Sequence, residues 1–101
     1  MEASKHIEVK RNEFLRQFEA LVDNELIAIE FAEQERRVFL TKLVISDHLK
    51  EEGYDILLIQ KVLDMHLDTK IKIVPTCKEV KSYMRRNKLK YQKLLPVGIA
   101  L

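Results

Sequence analysis

Apolar and polar residues alternate along the first third of the chain, a pattern typical of strands that bury one face. The apolar positions are Phe14, Phe18, Ala20 and Val22 in a first run, then Ile27, Ile29 and Phe31 in a second. Asp23 and Asn24 stand between the two runs, and both residue types tolerate the left-handed backbone of a tight turn. The pattern therefore predicts an antiparallel hairpin over residues 14–31.

The run from Val38 to Ile45 is apolar at every position except Thr41 and Lys42. Such a run is typical of a strand that is covered on both faces. We therefore expect a central strand here.

From Tyr54 the apolar period changes from two residues to between three and four. The apolar positions are Ile56, Ile59, Leu63 and Leu67, flanked by Leu58, Val62 and Met65. This spacing predicts an amphipathic helix from Tyr54 to Leu67 with a broad buried face. The segment from Ile71 to Val74 is rich in β-branched residues and predicts a short strand that ends at Pro75.

Thr76, followed three residues later by Glu79, matches a capping box that would open a second helix at Cys77. The inner face of that helix would carry Val80, Tyr83 and Met84. Three or four strands, a helix, a strand and a helix predict an α+β fold. We expect a twisted, mixed and mainly antiparallel sheet with a crossover helix and a C-terminal helix.

Length and composition limit the classes of protein that this chain can represent. Its 101 residues allow one domain, residues 1–101, and its single cysteine excludes an internal disulfide or an all-cysteine metal site. The histidines, at 6, 48 and 66, lack the spacing of metal ligands, so we expect no metal. The apolar runs are far shorter than the roughly 20 residues that cross a bilayer, and the N-terminus is polar. We therefore expect a cytoplasmic protein without a membrane partner.

Positive charge is concentrated between Lys78 and Lys93, where seven basic residues accompany one acidic residue. Such a segment attracts phosphate on a cofactor, a nucleic acid or a lipid, or is simply a solvated helix face. Tyr83 and Tyr91 lie within it and fit core positions better than base-stacking positions. A nucleic-acid partner is therefore the less favoured interpretation.

Three stretches resemble a known family. They are Phe18–Glu19–Ala20 with Asp23–Asn24 and Ala28 to Phe31, the loop from Ile45 to Asp55, and Ile73 to Cys77 with Val80, Tyr83, Tyr91, Leu94 and Leu95. Together they resemble the smallest members of the GNAT superfamily of acetyl-CoA-dependent N-acetyltransferases. The resemblance covers roughly residues 14–95, and its Pro-x-Cys strand end is the most specific part.

The resemblance implies how the chain would work. Two middle strands would splay apart around the pantetheine of acetyl-CoA, and the pyrophosphate would bind the N-terminus of the following helix. An amine, whose identity the sequence does not reveal, would attack the thioester directly. The implied cofactor-binding residues are Ile45, Lys50, Gly53, Tyr54 and Asp55.

The phosphate-binding loop departs from the family pattern. Glu51, Gly53 and Asp55 occupy the places of three family glycines, and Lys50 is the only cation near them in the sequence. Lys42 and Leu43 replace the usual histidine–threonine pair at the end of the central strand. Because carboxylates repel phosphate, we expect acetyl-CoA binding to be weakened or lost. Gly53 is interpreted either as a remnant of the loop or as an ordinary turn residue.

Cys77 is the candidate catalytic residue, a role that the resemblance also implies. As the first residue of a helix it would lie near unpaired amides, which favour the thiolate and predict a modestly lowered pKa. The alternative is that Cys77 is a small buried apolar residue without a chemical role.

Three functions are compatible with these patterns: an N-acetyltransferase of low activity, a non-catalytic binding module with the same fold, and a nucleic-acid binder. The apolar tail from Val97 to Leu101 could support a homodimer, so both a monomer and a homodimer are expected possibilities.

Overall fold

The computed structural model describes residues 6–101 and shows five strands and four α-helices. They are β1 (Lys10–Asn12), β2 (Gln17–Val22), β3 (Glu25–Gln34), β4 (Arg37–Val44), α1 (Asp47–Glu51), α2 (Tyr54–Asp64), β5 (Lys72–Pro75), α3 (Lys78–Arg86) and α4 (Lys88–Tyr91), followed by a 3-10 turn (Gln92–Leu94). The strands form one sheet in the order β1-β2-β3-β4-β5. All neighbours are antiparallel except β4 and β5, which are parallel. The predicted α+β class, with a mixed and mainly antiparallel sheet, is confirmed.

The predicted hairpin is present as β2 and β3. Asp23 and Asn24 form its turn with φ angles of 50° and 66°, the left-handed conformation expected of these residue types. The prediction was wrong at Phe14, which is 93% exposed and lies in a turn before β2. Here the Asn12 side chain accepts a 2.9 Å hydrogen bond from the Leu15 amide, and the chain reverses before the strand begins.

The sheet has an additional edge strand, β1, that the apolar pattern did not predict. The Arg11 guanidinium lies 4.6 Å from the centre of the Phe31 ring and donates a 2.6 Å hydrogen bond to Glu33. A cationic side chain therefore covers the apolar face of the sheet at this edge, which is why hydrophobic periodicity does not reveal β1.

β4 is an internal strand, but the expectation that both its faces are covered was wrong. Its Val38 and Leu40 side chains are buried, whereas Val44 is 40% exposed. The register with β3 shifts between Glu30 and Phe31, which leaves Thr41 as an extra residue on β4. The Thr41 hydroxyl donates to the Glu30 carbonyl at this bulge. The bulge explains why two polar residues follow each other in an apolar strand.

One hydrophobic core lies between the sheet and the helices. Apart from Ala28, the buried strand residues alternate with residues of the opposite face, and they form one cluster with the buried faces of α2 and α3. The helical members of this cluster include Leu58, Ile59, Val62, Leu63, Val80 and Met84. The predicted inner face of α3 is therefore confirmed, with Tyr83 half-buried at its margin.

The crossover helix is shorter than predicted, because α2 ends at Asp64 rather than Leu67. Beyond that point the chain continues as turns, in which the His66 Nδ1 donates to the Val62 carbonyl at 2.8 Å. The buried His66 ring packs edge-on against Phe18, with ring centres 5.4 Å apart, so its role is structural. No helix within residues 6–101 is long and apolar enough to span a membrane.

We predict that replacing Phe14 and Phe18 by leucine will separate a surface aromatic residue from a core one. Phe18→Leu should lower the free energy of unfolding by on the order of 1–3 kcal/mol, because Phe18 is fully buried against Phe31 and His66. Phe14→Leu should change it by less than about 0.5 kcal/mol. Urea denaturation followed by circular dichroism measures both values, and equal losses in the two variants would contradict the assignment of Phe14 to an exposed turn.

Candidate active site

The parallel pairing of β4 and β5 stops half-way along β4. The paired positions run from Arg37 with Lys72 to Leu40 with Pro75. The Leu40 carbonyl then accepts hydrogen bonds from the Thr76 hydroxyl and the Cys77 amide, both at 2.9 Å. Thr41–Val44 continue beside β3 alone. Within the described residues, β4 therefore presents an edge that β5 does not cover.

Thr76 does not form the predicted capping box. Its hydroxyl is used by the Leu40 carbonyl, and α3 begins one residue later than expected, with Cys77 as the N-cap residue. The reason is that the Leu40 carbonyl, where β4 separates from β5, accepts this hydroxyl as a second donor beside the Cys77 amide, so the hydroxyl is not available to cap α3.

The loop that follows β4 leads to the N-terminus of α2. It contains a short helical turn, α1, that was not predicted and that buries Leu49. Gly53 then adopts a φ of 89°, which separates α1 from α2. A β-carbon at this position would meet no atom within 4 Å, so the backbone angle and not the available space favours glycine here. The N-terminus of α2, at which the positive end of its helix dipole lies, therefore follows directly after this turn.

A pocket of about 410 Å³ lies between the start of α2 and one face of α3. Asp55 and Ile56 line it from α2, and Lys78, Arg85 and Arg86 line it from α3. Lys50 is the only cation near the loop in the sequence, but the fold adds others. It places three basic residues of α3 in the same pocket as Asp55, in the first turn of α2.

Cys77 lies between β5 and α3, with only 5% of the residue exposed. Its thiol donates a hydrogen bond to the Glu79 carboxylate, with Sγ and Oε1 3.2 Å apart. Burial raises the pKa of the Cys77 thiol, and the Glu79 carboxylate raises it further, whereas the amides of Val80 and Glu79 oppose the change. The net shift is upward, so the predicted lowering was wrong in direction: burial outweighs the helix N-terminus.

Glu79, predicted as the acidic residue of a capping box, is instead the hydrogen-bond partner of the Cys77 thiol. The bond from the Cys77 thiol lowers the pKa of the Glu79 carboxyl, and its own amide and the charges of Lys50 and Lys78 contribute in the same direction. The positive charge of Lys50, on α1, therefore stabilises the carboxylate of Glu79, the hydrogen-bond partner of the thiol.

The other residues predicted to bind the cofactor have different environments. Tyr54 and Ile45 are half-buried and pack against the hydrophobic core, whereas Lys50 is exposed. The Nε2 of His48, which also lies beside the loop, is 2.9 Å from a carboxylate oxygen of Glu25. Asp55 is therefore the predicted binding residue that lines the α2–α3 pocket.

Residues 17–94 match the model of a protein family described as GCN5-related N-acetyl-transferase. The match extends from the first residue of β2 to the last residue of the 3-10 turn. The chain belongs to the GCN5-related N-acetyltransferase family. No curated protein sequence matches it significantly.

Membership of the GCN5-related N-acetyltransferase family agrees with the mixed sheet and with the uncovered edge of β4. The basic residues of the α2–α3 pocket are the feature that sequence reasoning did not assign to the site. Ser82 follows Lys78 by four residues, and Arg85 and Arg86 follow Ser82 by three and four, so the sequence places all four on one helix face. It does not show that this face meets the start of α2.

We predict that the Cys77 thiol will titrate above the roughly 8.5 of a free cysteine. Its alkylation by iodoacetamide, measured against pH, should therefore show its inflection above that value. Glu79→Gln removes the carboxylate that favours the protonated thiol, so the inflection should move to lower pH.

Glu51→Gln is the matched control, because Glu51 is an exposed carboxylate in the neighbouring loop. It should leave the inflection unchanged. An inflection that is the same in wild type and Glu79→Gln would show that the thiol–carboxylate bond has no effect on the acidity of Cys77.

Proposed function

We propose that this protein is an acetyl-CoA-dependent N-acetyltransferase that acts on an amine. One observation carries the proposal: the uncovered edge of β4 adjoins the loop leading to the N-terminus of α2, in a chain of the GCN5-related N-acetyltransferase family. An extended pantetheine could hydrogen-bond to such an edge as a strand would, and a pyrophosphate suits the positive end of a helix dipole.

The α2–α3 pocket contains both basic residues, which would attract a polyphosphate, and acidic residues, which would repel it. Lys78, Arg85 and Arg86 would attract the phosphates, and Gly53 permits the backbone to turn into α2. Asp55 and Glu79 line the same pocket and would repel them. We therefore propose that acetyl-CoA binds more weakly than it would to a glycine-rich loop. The basic residues of α3 favour weakened binding over a complete loss of binding.

Cys77 is proposed to act as an acid rather than as a nucleophile. Bound acetyl-CoA would supply a thioester, in which a new carbon–nitrogen bond to the amine replaces the carbon–sulfur bond. The Cys77 thiol, held protonated by burial and by Glu79, can donate its proton to a leaving thiolate. The thiol regains a proton from solvent, which also accepts the proton released by the attacking amine.

A non-catalytic binding module is the second candidate. Glu51, Glu52 and Asp55 surround the turn at Gly53, an arrangement that repels phosphate rather than attracting it. In that case the fold would be retained for binding another partner, and acetyl transfer would be absent even where acetyl-CoA binds.

We predict that binding of the 3′-phosphate and the pyrophosphate of CoA depends on the basic residues of the α2–α3 pocket. Arg85→Gln/Arg86→Gln should weaken CoA binding about tenfold or more in calorimetric titration, because two charge-assisted contacts to phosphate are removed. The loss for 3′-dephospho-CoA should be smaller if one arginine binds the 3′-phosphate.

Asp55→Asn is the matched variant with the opposite expected effect on CoA affinity, since Asp55 lines the same pocket. It should tighten CoA binding, because a like charge beside the phosphates is removed at nearly constant volume. Equal affinity of all these variants for CoA would contradict a cofactor site in the α2–α3 pocket. The function itself is tested by acetyl transfer from acetyl-CoA to a panel of primary amines, and binding without any transfer would favour the non-catalytic module.

We predict that Cys77→Ala will lower kcat for acetyl transfer by about a hundredfold or more, the contribution expected of a positioned acid. Intact-mass measurements during turnover should detect no acetyl group on the wild-type enzyme. An acetylated Cys77 would identify a nucleophile, and unchanged turnover in a folded Cys77→Ala variant would exclude Cys77 from the chemistry.

A further inference from the structure

The exposed side of α3 and α4 carries a cluster of positive charge, here called the basic face and defined as Arg85, Arg86, Lys88, Lys90 and Lys93. All five residues are exposed. Lys90 lies 3.4 Å from Asp64, and among the described residues the other four form no ion pair. Four of the five basic side chains therefore carry a positive charge without an ion-pair partner among the described residues.

An apolar surface adjoins the basic face. A concavity of about 350 Å³ is lined by the consecutive residues 85–90 and includes Leu89, which is 90% exposed among the cations. A second concavity, of about 340 Å³, is lined by Lys88 together with the apolar residues Leu95, Pro96, Ile99 and Leu101. Lys88 borders both concavities, so the two surfaces are continuous.

We propose that this combined surface binds a membrane that is rich in anionic lipids. Phosphate headgroups would contact the basic face, and Leu89 would enter the boundary between headgroups and acyl chains. Polybasic segments with adjacent apolar side chains bind membranes in this way without crossing them. The proposal goes beyond acetyl transfer and replaces the expectation that the protein has no membrane partner.

A nucleic acid fits the same surface less well. It would supply phosphates for the basic face but no partner for Leu89 or for the apolar concavity. The aromatic residues of this region do not offer a stacking surface, because Tyr91 is buried and Tyr83 is half-buried against it, with ring centres 5.7 Å apart.

Lys72 shows where this surface lies on the fold. Its Nζ donates a 2.8 Å hydrogen bond to the carbonyl of Lys93, which ties the basic face to β5 at one edge of the sheet. Lys10 on β1 and Arg16 in the following turn lie at the other edge. These two exposed cations provide a control with the same change of charge.

The test is co-sedimentation of the full chain, without acetyl-CoA, with vesicles of phosphatidylcholine alone or mixed with phosphatidylglycerol. We expect binding to the mixed vesicles only, reduced by salt. Lys88→Gln/Lys93→Gln should weaken it roughly 25-fold, from about fivefold for each cation near the membrane surface. Lys10→Gln/Arg16→Gln should weaken it by no more than about twofold, since long-range charge alone is screened.

Leu89→Gln tests the apolar part of the proposal, and circular dichroism would verify that the variant folds. It should weaken vesicle binding roughly tenfold, the value of partial burial of one leucine. The proposal would be overturned if the two double variants lost vesicle binding equally, or if Leu89→Gln bound vesicles as well as wild type. Equal binding to both vesicle types would also overturn it. So would retention on DNA combined with no vesicle binding. None of these results depends on acetyl transfer, so the two proposals fail independently.

Discussion

The carbonyl of Leu40 is the point on which the rest of the structure depends. It accepts hydrogen bonds from the Thr76 hydroxyl and the Cys77 amide, which end the pairing of β4 with β5 and turn the chain into α3. This arrangement leaves the remainder of β4 uncovered and places Cys77 between the strand and the helix. It also sets where α3 begins, and therefore which of its residues face α2.

The core lies on one side of the sheet, and this determines where binding surfaces can form. Because α2 and α3 pack on the same apolar cluster, the start of α2 and one face of α3 together enclose the α2–α3 pocket. The outer side of α3 and α4 is exposed, and Lys90 is the member of the basic face that forms an ion pair, with Asp64, among the described residues. Arg85 and Arg86 line the proposed cofactor pocket and also belong to the basic face, so the proposed cofactor pocket and the proposed membrane-binding surface adjoin at the end of α3.

At the candidate site, the pKa of Cys77 and the attraction of phosphate depend on which groups lie close in space, and not only on the local sequence. A helix N-terminus lowers the pKa of a thiol, but Cys77 is buried and donates to Glu79, and together these raise it. An acidic loop repels phosphate, but Arg85 and Arg86 line the pocket that Asp55 lines. At Cys77 burial is the larger cause and Glu79 adds to it, so the thiol is favoured over the thiolate. In the pocket, acidic and basic side chains are brought together from two helices, which the local sequence does not show.

Periodicity was sufficient for the α+β class, for the β2–β3 hairpin with its Asp23–Asn24 turn, and for the inner face of α3, because each depends on local pattern and turn chemistry. It failed for β1, where Arg11 covers an apolar face, and for Phe14, because alternation continues into a turn that an Asn12 hydrogen bond closes. The Cys77–Glu79 contact could be anticipated from their spacing, whereas the balance of burial and charge on the thiol could not.

The features that the sequence did not predict depend on contacts between residues far apart in the chain. The bond from Thr76 to Leu40 joins positions 36 residues apart, and it competes successfully with a helix cap that the local sequence favours. The presence of Asp55, Arg85 and Arg86 around one pocket likewise requires two helices to pack on one core. Local sequence determines which elements form and which face each one buries. Which of those faces meet, and which charges are compensated, follows from long-range packing, because burial and electrostatics depend on distances in space and not along the chain.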